Sequence, residues 1–396
     1  MQTVEAGGLP IGDGHPPRIM GVLNVSEESP YDPSVFDDPA DAARYVEEDL
    51  LAEGADVVDV GLESANKRFE VLSAREELDR LEAAVETMRR VDGDAVFSIE
   101  TRYAAVADEA LSRGFDMVND VCGFADPEMP AVCRDHDAAV VKMASPPDLE
   151  RPGAVEETPW SDCKSASWAE DADYVDMVYE ALRRDGLTDK TIVDPAFGGW
   201  SEAQTLEHDR KTFRRLREFR GLGRPILVSI NRKNFLRELG GRDTEAALPV
   251  SLAATSMAVE RGGDVIRTHD VAETRDAALV GKAFGSSSRR RAGTVEVQQL
   301  DADAPPTVRR HLSRIGASAE LAEMAVADAF ELRGLGAADR ERLAAAAERT
   351  GAAFGGGDAG AVLAGTRRAL VAVADTVAGE SRGLTAVAEA LREGAG

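Results

Sequence analysis

The amino-acid sequence predicts an α/β protein, a (β/α)₈ TIM barrel with a C-terminal helical appendage. The first observation is a pattern between Arg18 and about Ala283, in which an apolar, β-branched run, a polar loop and a stretch of helical period follow one another. The second is that this pattern occurs eight times, the number that closes a parallel barrel. The third is that no GxGxxG motif follows the first run, which disfavours the alternative of an open doubly wound sheet.

Each predicted strand is a short apolar run that ends where polar residues begin. The runs are RIMGVLNV, ADVVDVG, AVFSIE, FDMVNDV, AAVVKMA, TIVDPA, PILVSIN and DVIRTHD. The spacing of apolar residues between them predicts helices at 38–53, 74–90, 104–113, 127–135, 168–184, 203–220, 244–261 and 272–283. The barrel is therefore expected to occupy residues 1–285.

The last part of the chain differs in composition from the barrel. Residues 286–305 contain GSSSRRRAG and DADAPP and are expected to form a linker with room for one short strand. Residues 306–396 are Ala-rich and are broken by Gly334, Gly351 and the GGG from Gly355, which predicts four or five helices. We expect a small helical domain there, and no motif in it points to chemistry.

The charge and composition limit the partners of the chain. Its formal charge of −26 repels phosphate backbones, so nucleic-acid binding is not expected. The sequence contains no run of eighteen or so apolar residues and no signal-like start, so a membrane location is not expected either. Only seven residues are Lys, which favours adaptation to high salt over the alternative of an acidic protein from a GC-rich genome.

The three cysteines indicate a reducing compartment. Cys122, Cys133 and Cys163 are an odd number without CxxC spacing, which argues against a disulfide framework and against a cysteine-rich zinc site. A cytoplasmic protein is the simplest interpretation.

Polar residues close most of the predicted strands, at the end where a barrel carries its active site. They are Asn24, Glu63, Glu100, Asn119, Lys142 with Met143, Asp194, Asn231 with Lys233, and Arg267 with His269. A single Asn or Asp at such a place is more often a helix cap, and Lys142 is expected to extend to the barrel rim. Capping explains Asn119 and Asp194 less well, because they lie inside or beside apolar runs. A buried amide or carboxylate needs hydrogen-bond partners, and a ligand with several N–H groups would supply them. Arg267 and His269 share one strand face and predict a paired cationic site for phosphate oxygens.

Seven segments, in order and spacing, resemble those of the dihydropteroate synthases of folate biosynthesis. They are MGVLNVSEES, EGADVVDVGLES, SIETRYAAVADEAL, GFDMVNDVCG, IVDPAFG, VSINRKNFL and GGDVIRTHDVAETRDA. The resemblance implies a pterin-binding (β/α)₈ barrel that joins a pterin-methyl pyrophosphate to 4-aminobenzoate, releases pyrophosphate and uses Mg²⁺. It also implies a homodimer, whose interface the C-terminal helices either enlarge or block.

The resemblance also assigns roles to residues. It places the pterin on Glu100, Asn119, Met143, Asp194 and Lys233, with Asp194, Lys233 and Glu100 as the catalytic groups. It places the pyrophosphate on Asn24, Arg267 and His269, and the metal on Asn24. Glu100 stands in SIET where the family usually has Asp in an SVDT-like segment, so its carboxylate is displaced by about one methylene.

The departures from the family lie in the loops of the second substrate. The family's ESTRPG is here Glu63 followed by SANKR, its DPGxGFGK is DPAFGGWS, and its SRKS is NRKN. Arg68, Trp200 and Asn231 are therefore the candidates for contacts with the arylamine.

Three other functions remain open at the level of sequence. A pterin-dependent methyltransferase would share the pterin half of the site, although RTHD and LNV favour the synthase. A non-catalytic pterin-binding protein is compatible with the altered loops and the extra helices. An unrelated (β/α)₈ enzyme is disfavoured by the ordered motifs.

Overall fold

The computed structural model describes residues 2–25, 34–36, 38–63, 71–285, 289–292, 295–357 and 360–393. The chain divides into two compact units, Met1–Gln299 and Leu300–Gly396. Within the described ranges, no helix is long and apolar enough to cross a membrane.

The first unit is the predicted barrel. It begins with a hairpin of β1 (Val4–Ala6) and β2 (Leu9–Ile11). The parallel strands are β3 (Arg18–Asn24), β4 (Val57–Gly61), β5 (Val96–Thr101), β6 (Met117–Asp120), β7 (Ala139–Met143), β8 (Thr191–Asp194), β9 (Leu227–Val228) and β10 (Val265–Thr268). They pair in the order β8-β7-β6-β5-β4-β3-β10-β9, and a parallel bridge between Val193 and Ile226 closes the ring next to β9.

Alternation along the strands separates an inner core from an outer one. In β4, Val58 and Val60 pack in the large core between the sheet and the helices, whereas Val57 packs in a smaller core inside the barrel. The hairpin contributes Val4, Ala6 and Ile11 to this inner core. The amino end of the barrel is therefore filled by apolar side chains, and the inward positions nearer the carboxyl ends are left for the polar residues.

Helices cover the outside of the barrel. They are α1 (Pro39–Tyr45), α2 (Ala74–Arg90), α3 (Ala104–Ser112), α4 (Met129–Asp135), α5 (Trp160–Cys163), α6 (Ala166–Asp171), α7 (Tyr174–Arg183), α8 (Leu206–Arg214), α9 (Asn234–Gly240), α10 (Leu248–Glu260) and α11 (Val271–Phe284). A π-helix, Val46–Leu51, continues α1, and 3₁₀ segments occur at Val155–Glu157, Leu216–Leu222 and Glu245–Ala247.

The helix boundaries differ from the predicted ones where a polar residue caps a new helix. The predicted helix 168–184 is two helices, because the Asp173 side chain accepts a hydrogen bond from the Asp176 N–H at 3.0 Å and begins α7 with a capping box. The predicted helix 203–220 is α8 followed by a 3₁₀ segment, and α9 is additional to the predicted set.

The region predicted as a linker contains a second hairpin, of β11 (Arg289–Ala292) and β12 (Val295–Gln298). It belongs to the first unit, which therefore extends to Gln299 and not only to residue 285.

The second unit contains helices, as expected, and also a sheet that was not expected. Its elements are α12 (Pro305–Arg314), a 3₁₀ segment (Ala319–Met324), β13 (Ala327–Leu332), α13 (Ala337–Thr350), β14 (Ala353–Gly357), β15 (Gly360–Thr366), α14 (Arg367–Val377) and α15 (Arg382–Glu393). The strands form an antiparallel sheet in the order β13-β15-β14. The prediction of helices alone was incomplete, because pairing of β13 and β14 with β15 buries Leu363 against Leu343 and Leu370.

Candidate active site

The described site residues meet at the carboxyl end of the barrel. Glu100 on β5 and Asn119 on β6 are register partners, as are Met143 on β7 and Asp194 on β8. Arg267 lies on β10, and Lys233 follows β9 at the start of α9. Asn24 at the end of β3 is level with Gly61, where a Cβ would stand 3.0 Å from Asn24 Oδ1, so a glycine leaves room for that amide.

A buried ion-pair cluster joins four strands inside the barrel. Arg267 Nε donates to Asp59 Oδ2 at 2.7 Å, and Arg267 Nη2 donates to Glu100 Oε2 at 2.6 Å. Asn119 Nδ2 donates to the same Asp59 oxygen at 2.9 Å. The Glu100 side chain therefore reaches the arginine. These contacts fix one guanidinium and one amide at the base of the site.

Asp59 is a site residue that the sequence analysis missed. It is fully buried, at 0 % exposure, in the middle of β4. The signal was present in the sequence: a carboxylate interrupts the apolar run VVDVG at the same inward parity as Val57. Asp59 lies two residues before the end of its strand, whereas the predicted site residues lie at or near the strand ends.

Asp194 and Lys233 form the second charged part of the site. Asp194 Oδ1 accepts the Ala196 N–H at 2.8 Å, which leaves Oδ2 for a ligand. Burial raises the pKa of Asp194 to about 6, against the opposing effects of that hydrogen bond and of Lys233. Burial and the positive charge of Arg267 lower the pKa of Lys233, whereas Asp194 and Asp209 raise it.

The loop after β8 brings Trp200 to this lysine. Lys233 Nζ lies 5.5 Å from the centre of the Trp200 ring. The loop is held by Asp209, whose Oδ1 accepts the Gly198 N–H at 3.3 Å and Gln204 Nε2 at 2.9 Å. Gly153 lies under the indole, where a Cβ would be 2.2 Å from Trp200 Cγ. The structure thus places Trp200, a candidate for the second substrate, beside a candidate for the first.

His269 follows β10, the neighbour of β3, and its charge differs from the expectation drawn from the sequence. Its Nδ1 is 3.5 Å from Ser34 Oγ, and Asn24 Nδ2 donates to that hydroxyl at 2.8 Å. Burial, and secondly Arg267, lower the pKa of His269 to about 3. The imidazole is therefore neutral at pH 7, so Arg267 is the permanent cation of the predicted pair.

Asn231 contributes to a clamp between the ends of β9 and β10. Arg232 Nε and Nη2 donate to the two Asp270 carboxylate oxygens, each at 2.8 Å, and Asn231 Nδ2 donates to Asp270 at 2.9 Å. Arg232 has a φ of +53°, a strained conformation that this ion pair holds in place. Because Arg232 precedes Lys233 and Asp270 follows His269, the clamp fixes both site residues.

The three remaining candidates have different outcomes. Arg68 lies outside the described residues. Glu63 is paired with Arg102 at 3.1 Å. Lys142 does not extend to the rim, because it is fully buried on the helix side of β7, with its ammonium held by the carbonyl oxygens of Arg184 and Gly186. Burial lowers the pKa of Lys142 to about 8.

The described site has two sets of hydrogen-bonding groups. One set consists of acceptors, which suit a ligand that carries N–H groups, and the other consists of donors, which suit an anion. Because Asn119 donates to Asp59, its amide oxygen is left to accept, together with Asp194 Oδ2 and Glu100 Oε1. Lys233 and the remaining N–H groups of Arg267 are the donors. Met143, 3 % exposed, lies on the strand between Asn119 and Asp194 and provides an apolar surface there.

Comparisons with known proteins show the family and the fold. The family model described as "Pterin binding enzyme" matches residues 20–269. Dihydropteroate synthase type-1 of Escherichia coli is 33 % identical over 266 residues, which cover 65 % of this chain and 91 % of that protein. The crystal structure of dihydropteroate synthase from Thermus thermophilus in complex with 4-aminobenzoate has a TM-score of 0.54 and 30 % identity, over 72 % of this chain and all of the other.

A haloarchaeal relative is much longer than this chain. The probable bifunctional folylpolyglutamate synthase/dihydropteroate synthase of Halobacterium salinarum is 34 % identical over 272 residues. The match covers 68 % of this chain but only 32 % of that protein, so the chain spans about a third of this relative.

Proposed function

Because the chain belongs to the pterin binding enzymes, within the dihydropteroate synthase family, we propose that it makes a dihydropteroate-type product for folate biosynthesis. The reaction condenses a 6-hydroxymethyl-dihydropterin pyrophosphate with 4-aminobenzoate, or with a related arylamine, and releases pyrophosphate. The observation that carries this proposal is the row of acceptors that Glu100 on β5, Asn119 on β6 and Asp194 on β8 form at the carboxyl end of the barrel. A pterin presents amino and ring N–H groups along one edge, which this row satisfies.

The proposed roles follow from charge and position. Asp194 and Asn119 bind the amino-pyrimidine edge, Met143 packs on the ring and Lys233 donates to ring acceptors. Arg267 Nη1, which makes no hydrogen bond within the described residues, and the neutral His269 donate to pyrophosphate oxygens. Trp200 lies beside Lys233, where the incoming arylamine meets the ring.

The chemistry is a substitution at the pterin methylene. The C–O bond to pyrophosphate breaks with both electrons leaving on oxygen, a C–N bond forms to the amine, and the amine nitrogen loses one proton. Positive charge develops on the pterin methylene as the C–O bond weakens, and the carboxylates of Asp194 and Glu100 stabilise it. Arg267 stabilises the negative charge that develops on the leaving oxygen. A neutral aromatic amine is nucleophilic without a general base.

The donor set is compatible with Mg²⁺ at the pyrophosphate. Asn24 donates to Ser34 through its amide nitrogen, which leaves the amide oxygen as a hard ligand. The described residues contain no group of three His, Cys, Asp or Glu that would hold a metal by itself. Asn24 would therefore hold the ion together with substrate phosphates and water. The ion would neutralise charge on the leaving pyrophosphate.

The test is pyrophosphate release from the pterin pyrophosphate in high salt with Mg²⁺, with and without 4-aminobenzoate. We expect release that depends on the amine, and no release by Asp194→Asn. Asp264→Asn is the matched control, because Asp264 is a buried carboxylate just before β10, at the opposite end of the barrel. Pterin binding without amine-dependent release would point to a different acceptor, and absence of both would refute the proposal.

We also propose that the chain forms a homodimer through α10 and α11. Gly281 packs so closely on α10 that a Cβ would lie 2.3 Å from the Ser256 carbonyl oxygen. Beside this contact, Leu279, Val280 and Phe284 are 48, 52 and 82 % exposed, an apolar surface that suits association. We expect Val280→Glu to convert a dimer to a monomer in light scattering, whereas Leu239→Glu on α9, a lone exposed residue, leaves the mass unchanged.

The proposed setting is a cytoplasm with high salt. The charge of −26 supports the salt requirement, and the three cysteines, which are all free, support a reducing compartment. We expect the midpoint of thermal unfolding to rise steeply with KCl concentration, because added ions screen repulsion among the carboxylates. A flat dependence would contradict the salt requirement.

A further inference from the structure

Asp59 is placed to control two site residues while it remains remote from solvent. Its Oδ2 accepts both the Arg267 Nε–H at 2.7 Å and an Asn119 Nδ2–H at 2.9 Å. The carboxylate is fully buried, and its Oδ1 has no hydrogen-bond partner among the described residues. Arg267 is also held by Glu100 at 2.6 Å, whereas the only described hydrogen bond of the Asn119 side chain is the one to Asp59.

The chemistry of this contact fixes which way the Asn119 amide points. An ionised carboxylate accepts hydrogen bonds and does not donate them, so only the amide nitrogen of Asn119 can face Asp59. The amide oxygen must then face the other way, where it accepts from a ligand. An amide in the reverse orientation would place the Asn119 oxygen against the Asp59 carboxylate in a buried site. That amide oxygen would then have no hydrogen-bond donor, which costs free energy.

We infer that Asp59 is a positioning residue that selects ligands carrying an amino group at the pterin 2-position, by holding the Asn119 amide oxygen toward that group. This inference rests on the proposed pterin-binding function and adds a determinant of specificity to it. Asp59 itself does not touch the ligand. A ring with an oxygen at the same position would meet the Asn119 oxygen and be rejected.

The experiment compares the binding of 6-hydroxymethylpterin with that of 6-hydroxymethyllumazine, which has an oxygen in place of the 2-amino group. Isothermal titration of the full chain in high salt gives both dissociation constants. We expect wild type to prefer the pterin, and Asp59→Asn to reduce this preference by about tenfold or more, because a neutral amide at position 59 lets the Asn119 amide turn over. The inference predicts that Asp59→Asn binds the pterin more weakly than wild type does, and binds the lumazine as well as wild type or better.

A matched control is Ser98→Ala. Ser98 is the register partner of Asp59 on β5, is equally buried and has no hydrogen-bond partner among the described residues. We expect its replacement to leave the preference unchanged. Loss of preference in this variant too would overturn the inference, since any loss of buried polarity would then produce the effect.

Further outcomes separate this inference from its premise. If wild type binds neither ligand, the proposed function fails as well. If Asp59→Asn weakens the binding of both ligands by the same factor, Asp59 has only a structural role and the inference alone is wrong.

The double variant tests whether Asp59 acts through Asn119. In an Asn119→Ala background, Asp59→Asn should no longer change the preference for the pterin, and an undiminished change would refute action through Asn119. If Asp59→Asn does not fold, Asp59→Ser is used in its place, because the smaller serine side chain fits the space of the aspartate. If neither variant unfolds cooperatively, the inference is overturned.

Discussion

Arg267 on β10 and Asp59 on β4 form an ion pair of 2.7 Å inside the barrel, although strand β3 lies between their strands. The Asp59 side chain is completely buried, and 19 % of the Arg267 side chain is exposed. The same guanidinium binds Glu100 on β5 at 2.6 Å. One arginine therefore pairs with two carboxylates and keeps N–H groups at the surface of the site.

Replacement of this arginine should affect both stability and anion binding. Arg267→Ala leaves the Asp59 carboxylate buried without a cation, which we expect to lower the free energy of unfolding by about 3–5 kcal/mol. It should also weaken binding of the pterin pyrophosphate more than binding of 6-hydroxymethylpterin. Chemical denaturation and titration calorimetry measure the two effects. Arg44→Ala, at an exposed pair on α1, is the control and should change stability by less than about 0.5 kcal/mol. Equal loss for both ligands would exclude a role at the pyrophosphate.

Binding of the uncharged 6-hydroxymethylpterin should depend on the ionisation of Asp194. Burial raises the pKa of this carboxyl to about 6, and only the ionised form accepts two N–H groups of the ligand. The affinity should therefore be constant near pH 7 and fall by up to about tenfold per unit as the pH decreases below about 6. His269, with a pKa of about 3, does not titrate in this range.

The variants Asp194→Asn and Asp264→Asn separate this effect from other buried carboxyls. Burial also raises the pKa of Asp264 to about 6. Asp264→Asn should keep the pH dependence, whereas Asp194→Asn should bind weakly at every pH. A normal pH profile in Asp194→Asn would assign the titration to another group, such as Asp209, whose pKa burial also raises to about 6.

Lys142 should be important for stability and not for the reaction. Its ammonium donates to the carbonyl oxygens of Arg184 and Gly186 and lies 4.5 Å from the centre of the Phe124 ring. Lys142→Met leaves those carbonyls without a donor, so we expect unfolding to become easier by about 1–3 kcal/mol. Pterin affinity should not change. Lys164→Met on the surface is the control, and a large loss of pterin affinity in Lys142→Met would show that the side chain reaches the site.

A chain that ends at Gln299 should fold and bind pterin. The two barrel cores contain residues up to Ala278, and the core of the second unit is built separately, around residues such as Leu343, Leu363 and Leu370. Because each unit has a buried core of its own, removal of residues 300–396 should leave cooperative thermal unfolding. A chain that ends at residue 285 also lacks the β11–β12 hairpin. Comparison of its thermal unfolding with that of the 1–299 chain gives the contribution of this hairpin to stability. An insoluble 1–299 chain would mean that the second unit is required for folding.

Much of the barrel was predictable because one local rule repeats in it. Each strand is an apolar run of alternating parity and each helix has a 3.6-residue period, so element type follows from near neighbours in the sequence. The helix boundaries were less predictable, since the start of α7 depends on the Asp173 cap. The second unit was harder still. The segment ADAFEL ends a longer run, LAEMAVADAFEL, whose apolar residues have helical spacing, and it becomes β13 because β15 is available to pair with it.

The sequence by itself determined the fold class of the first unit, the family and the identity of most polar residues at the strand ends. Those follow from residue types in a fixed order along the chain. Only the tertiary structure decided which of them act together, because β4, β5, β6 and β10 converge inside the barrel although their residues are far apart in the chain. It turned Lys142 away from the site, made His269 neutral through burial, and brought Asp59 to Arg267 and Asn119. Burial and distance set these properties, and both depend on the whole ring of strands.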